Sequence, residues 1–138
     1  MINFDVLIEK TNSLQNCLKR IHATVGTDAT KLDSLDVQDI VVLNLQRAIQ
    51  LVIDMASHIV STERLGTPQS LKDFFQVLER NQILNKELSL KMQKMIGFRN
   101  IAVHDYQAIN PEILKSIVSN HLKDFEDFYT ALLIWAKG

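Results

Sequence analysis

The chain has one cysteine, two prolines and four glycines in 138 residues, and each scarcity excludes something. A lone Cys17 forbids an internal disulfide and any metal site built on several thiolates. Few glycines and prolines leave few punctuation points for a fold of many short strands. No sign of charge dominates: 15 basic and 16 acidic residues give a net charge of −1, so a broadly positive surface for capturing nucleic acid is not expected, although a local basic cleft is compatible with it. The opening MINFDVLIEK carries acidic residues and lacks a basic lead-in, unlike a secretory signal, and no uninterrupted apolar run approaches the roughly 20 residues that span a bilayer. These features predict a cytoplasmic protein without a membrane segment.

Helix formers fill what remains, and an all-α protein follows. Phe4, Leu7, Thr11, Leu14, Leu18, Ile21 and Val25 recur at spacings of three and four, the seam of an amphipathic helix ending near Gly26. A polar stretch follows, with Ser34 or Asp36 as the cap of a second helix from Val37 to about Glu63. This helix is apolar on two rows (Val41, Ala48, Leu51, Met55 and Leu45, Ile49, Val52, Ala56, Ile59), which predicts cover from its own bundle and from a dimer partner.

Leu65-Gly66-Thr67-Pro68 reads as the clearest break, with Thr67 capping a short helix of about Gln69 to Arg80. The next helix is expected over about Lys86 to Ile101, with Met92 and Met95 as core filler. After an aperiodic run from Val103 to Ile109, Asn110 and Pro111 start one final helix. The architecture implied is a single domain over 1–138, a bundle of four to five helices in up-and-down order.

One cluster does not read as packing: Phe98-Arg99-Asn100-Ile101-Ala102-Val103-His104-Asp105-Tyr106. An imidazole with an ordinary pKa near ~6.5 can take a proton from a 2′-hydroxyl or give one to a leaving oxygen. A guanidinium offers a planar fork of donors to a phosphate. In an unbroken helix, Arg99 and His104 would point roughly 140° apart. Convergence therefore requires the helix to end between them or two copies to face each other, and the aperiodic run favours the first. Tyr106 offers a phenol that can bind phosphate or accept a nucleotide. Asp54 and His58 are neighbours on one helix face. Asp54 is a candidate support for the cleft; His58 reads as half of an intrahelical pair. His121 reads as a satisfied, partly buried histidine. No His or Cys spacing suggests a metal site, and no glycine pattern suggests a bound nucleotide cofactor.

The pattern R-x4-H-x-Y, as Arg99, His104 and Tyr106, resembles the signature of HepT-type toxins in the HEPN superfamily. Gly66-Thr67-Pro68, Phe98-Arg99-Asn100 and Val103-His104 stand in the family's order. The likeness extends from about Leu43 to the C-terminus; residues 1–34 match only as an amphipathic helix. The resemblance implies a HEPN homodimer with both motifs lining a shared cleft, and metal-independent endoribonuclease activity with Arg99 and His104 as the catalytic pair. It implies Asn100 as a supporting residue. It also implies a type VII-like toxin–antitoxin system, whose MntA-like minimal nucleotidyltransferase antitoxin transfers AMP to Tyr106. A non-catalytic helical subunit docking on a nucleotidyltransferase is the alternative that the apolar second helix raises.

Overall fold

The computed structural model describes residues 3–138, and within them the backbone is built from six α-helices. They are α1 (Phe4–Val25), α2 (Leu35–Thr62), α3 (Leu71–Arg80), α4 (Lys86–His104), α5 (Pro111–Asn120) and α6 (Leu122–Lys137), with 3-10 turns at Ala29–Asp33 and Tyr106–Ala108.

The expected seam of α1 is its buried stripe from Leu7 to Val25, with Cys17 among it as a small core residue. Asn3 caps α1 by accepting from the Asp5 and Val6 amides at 3.0 and 3.3 Å. Ser34 and not Asp36 caps α2, through the Val37 amide. At 28 residues, α2 is about 42 Å long. By length and composition it could cross a membrane, but its apolar rows are used inside the bundle. All of the row residues named above are buried except Leu51, which is partly so, and α1, α3, α4 and α6 supply the cover. The bundle itself therefore covers these rows, while Leu35 and Leu43 on the same helix remain exposed.

Helices α2 and α3 end in the same way without glycine. After α2, Arg64 adopts φ 52° and the Leu65 amide reaches back to the Val60 carbonyl at 3.0 Å. After α3, Gln82 adopts φ 61° and the Ile83 amide reaches Leu78 at 2.9 Å. Both are Schellman closures, with a side chain tolerated where glycine is usual. Ser70 caps α3, not Thr67: its Oγ accepts the Asp73 amide at 3.2 Å, while Asp73 accepts the Gln69 amide at 2.8 Å.

The final helix predicted as one piece is two. At His121 the backbone leaves helical geometry (φ −125°, ψ 0°). The His121 ring lies 2.9 Å from the carboxylate of Asp124, which is itself buried and 3.7 Å from Lys91 Nζ. A buried carboxylate requires such partners, and the bend supplies one. It also lets α5 cover the 29–33 turn, where Lys115 meets Asp33 at 2.7 Å, while α6 returns along α1 and α4. Phe128 on α6 and Phe75 on α3 meet edge-to-face, 5.9 Å between centroids, in the core beneath α4 that also buries Met92 and Met95.

Candidate active site

The C-terminal end of α4 carries the cluster. Asn85 caps the helix start by accepting the Leu88 amide at 2.8 Å, and the ladder runs unbroken until the Asp105 amide closes on Ile101 at 2.8 Å. The helix therefore does not end between Arg99 and His104, as the sequence had suggested; it ends after both. Buried Phe98 and Ala102 anchor this last stretch and offset its mixed propensities.

With the helix continuous, Arg99 and His104 stand about 140° apart around it and about 7.5 Å along it. Asn100 lies between them, one turn from His104. The guanidinium of partly buried Arg99 makes a long contact of 3.5 Å with Asn100 Oδ1, and among the described residues it has no ion pair. The His104 side chain is exposed, and among the described residues its ring has no hydrogen-bond partner. Both groups are available to a ligand. Ile101 and Val103, on the same exposed stretch, are 44% and 50% exposed, an apolar border that a lone chain leaves wet.

Tyr106 follows in the 3-10 turn, where the Ala108 amide bonds to Asp105 and the Ile109 amide to Tyr106. Its phenol donates a hydrogen bond to Asp39 Oδ1 on α2. Sequence reasoning did not find Asp39. It lies 67 residues from Tyr106, and no spacing rule connects them. A groove of about 250 Å³ lies beside the phenol, lined by Leu35, Gln38, Val42, Gln107 and Ile109. Partial burial, and then the Asp39 carboxylate, push the phenol up to about 12.

This shift has a sign that can be checked. The folded chain holds the phenolic proton more tightly than the unfolded chain does, so the stabilisation is complete below about pH 10 and is lost as pH rises toward 12. Urea midpoints should therefore fall between about pH 9 and about pH 11, with a shallower fall in Tyr106→Phe. An identical fall in both proteins would contradict the pairing.

Asp54 and His58 do not pair. Asp54 Oδ1 accepts from Gln50 Nε2 at 2.9 Å, and its other oxygen lies 3.9 Å from Lys10. His58 Nε2 accepts the Asn3 amide at 3.3 Å, a tie between α2 and the start of α1. The intrahelical pair expected for His58 is thus replaced by a contact between helices. Among the described residues, no group of three or more His, Cys, Asp or Glu side chains is placed to hold a metal ion.

The chain is thus a helical bundle in which, among the described residues, one helix ends with an arginine free of ion pairs and an exposed histidine, and a tyrosine follows just beyond. Residues 14–132 match the HepT-like family, described as ribonuclease HepT-like, and the chain belongs to that family. The match takes in most of α1, further toward the N-terminus than the motif likeness reached. The mRNA nuclease HepT of Shewanella oneidensis is 43% identical over 124 residues, covering 90% of this chain and 93% of that protein. The tRNA nuclease HepT of Aphanizomenon flos-aquae is 32% identical over 94 residues, 68% of this chain and 64% of that one. In three dimensions the chain superimposes with a TM-score of 0.89 and 41% identity on the tri-AMPylated HEPN toxin of Shewanella oneidensis, solved in complex with an MNT antitoxin. That match covers 98% of this chain and 99% of the other.

Proposed function

We propose that this protein is the toxin of a toxin–antitoxin pair, a metal-independent endoribonuclease that uses Arg99 and His104 and is silenced when a nucleotidyltransferase antitoxin transfers AMP to Tyr106. The observation that carries the reading is a guanidinium held, among the described residues, only by a long contact with Asn100, and an exposed imidazole, both carried by an ordered helix end. His104 exchanges the proton of the 2′-hydroxyl or of the leaving oxygen, and Arg99 binds the phosphate as charge builds on it. Neither role needs a metal or a cofactor. Asn100, between them, supports by contacting the guanidinium.

Continuity of α4 supports a twofold homodimer. One copy splays the two groups around a helix, whereas two copies bring the arginine of one toward the histidine of the other. Ile101 and Val103 supply apolar surface for that contact. Asp54, occupied by Gln50 and Lys10, fits a supporting role only at a distance, by its charge. The reading places the protein in the cytoplasm, with its RNA and its antitoxin. Addition of AMP brings negative charge and bulk to a phenol two residues past His104, which repels an RNA backbone.

The direct test is to incubate the purified chain with RNA in excess EDTA, before and after treatment with the partner nucleotidyltransferase and ATP, following cleavage and intact mass together. Cleavage in EDTA that stops as adenylate mass appears on Tyr106 is the expected result. Intact RNA throughout would refute the nuclease assignment.

A further inference from the structure

The link between Tyr106 and Asp39 is not used in RNA cleavage, yet it joins the turn after α4 to the second turn of α2 through a single O–H donor. Both partners are accessible: Asp39 is exposed, and Tyr106 is 43% exposed. The contact is therefore not a buried structural tie whose loss would open the core. Resting on the reading of Tyr106 as the modified residue, we propose that Asp39 is the proton acceptor that makes the Tyr106 oxygen the nucleophile for adenylate transfer, so that the toxin supplies the base and its partner supplies the activated nucleotide.

Attack forms a bond between the phenolic oxygen and the α-phosphorus of a nucleoside triphosphate. The bond from that phosphorus to the bridging oxygen of the β-phosphate breaks, and pyrophosphate leaves with the electron pair. The phenolic proton must go somewhere as the oxygen gains its third partner, and the hydrogen bond already points it at Asp39 Oδ1. From an exposed carboxylate it passes to water, and no oxidant or reductant enters.

A phenol ionising at about 12 is almost wholly protonated near neutral pH, so proton removal has to accompany attack. That is the situation in which a positioned base contributes. The neighbouring titratable groups, Asp36 on α2 and His104 and Asp105 at the end of α4, make no hydrogen bond to the phenol among the described residues. Asp39 alone occupies the acceptor position.

The experiment compares wild type, Asp39→Asn and Asp39→Glu, each as the full chain with the partner nucleotidyltransferase and ATP. Single-turnover adenylation is followed by intact mass across a range of pH around neutrality. Asparagine keeps an oxygen that can accept the phenol's hydrogen bond but cannot take its proton. Asp39→Asn is expected to slow transfer by about 10²-fold or more, with a rate that climbs with pH, whereas wild type is flat. Asp39→Glu, which keeps a carboxylate, should restore a rate that no longer climbs. Asp39→Asn with the wild-type rate, or slow but with an unchanged pH profile, overturns the proposal and leaves Tyr106 as the modified residue. Absence of adenylate on wild type instead defeats the reading of Tyr106, and this inference with it.

Discussion

Replacing His104 by alanine is expected to lower RNA cleavage by about 10²–10⁴-fold, the usual contribution of a positioned proton-transfer group. The physical argument starts from exposure. The ring lies in the last turn of α4 and, among the described residues, holds no hydrogen bond, so no network within the chain explains it. The change should also be benign for folding. A cation near a helix C-terminus contributes only about 0.3–1 kcal/mol, and an exposed ring leaves no cavity when truncated. Loss of cleavage with a nearly unchanged urea midpoint is therefore the expected pair of results. Initial rates on a labelled RNA in EDTA measure the first, and chemical denaturation measures the second. A variant that cleaves as fast as wild type would remove His104 from the chemistry; one that unfolds would show that the ring has a structural task.

The second large effect concerns where the arginine comes from. Arg99→Ala and His104→Ala are each expected to be nearly inactive alone, because phosphate binding and proton transfer are both needed at one reacting centre. If each active centre takes its arginine from one copy and its histidine from the other, a mixed dimer of the two variants keeps one complete centre and one with neither group. In a random equal mixture about half of the dimers are mixed, so about one quarter of wild-type activity should return. Co-expressed, differently tagged chains purified for the mixed species should approach one half. Mixtures as inactive as either variant would mean that the two groups of one chain act together. The 140° separation in a continuous α4 would then have to be bridged by the reach of the arginine alone.

Several parts of the molecule were legible residue by residue. The spacing of three and four from Leu7 to Val25 marks the buried stripe of α1, and Asn110 with Pro111 marks the start of α5, where the Asn110 side chain accepts the Glu112 amide at 2.9 Å. Such signals are local: a cap needs only the amides two or three residues on, and a stripe needs only the helical period. The cluster from Arg99 to Tyr106 stood out because its polar groups break a period that packing would have kept. Thr67 misled because threonine, like serine, can cap. Ser70 prevailed because Asp73 could answer it by taking the Gln69 amide.

By itself the sequence determined an all-helical chain, the order of its first four helices, and the arginine, histidine and tyrosine proposed to carry its chemistry. The tertiary structure decided that α4 continues through His104, because buried Phe98 and Ala102 hold that stretch in the bundle, and that the last helix breaks at His121, where buried Asp124 takes a partner. It alone joined Tyr106 to Asp39, since a hydrogen bond between residues so far apart in the chain exists only once packing has brought α2 alongside the turn after α4.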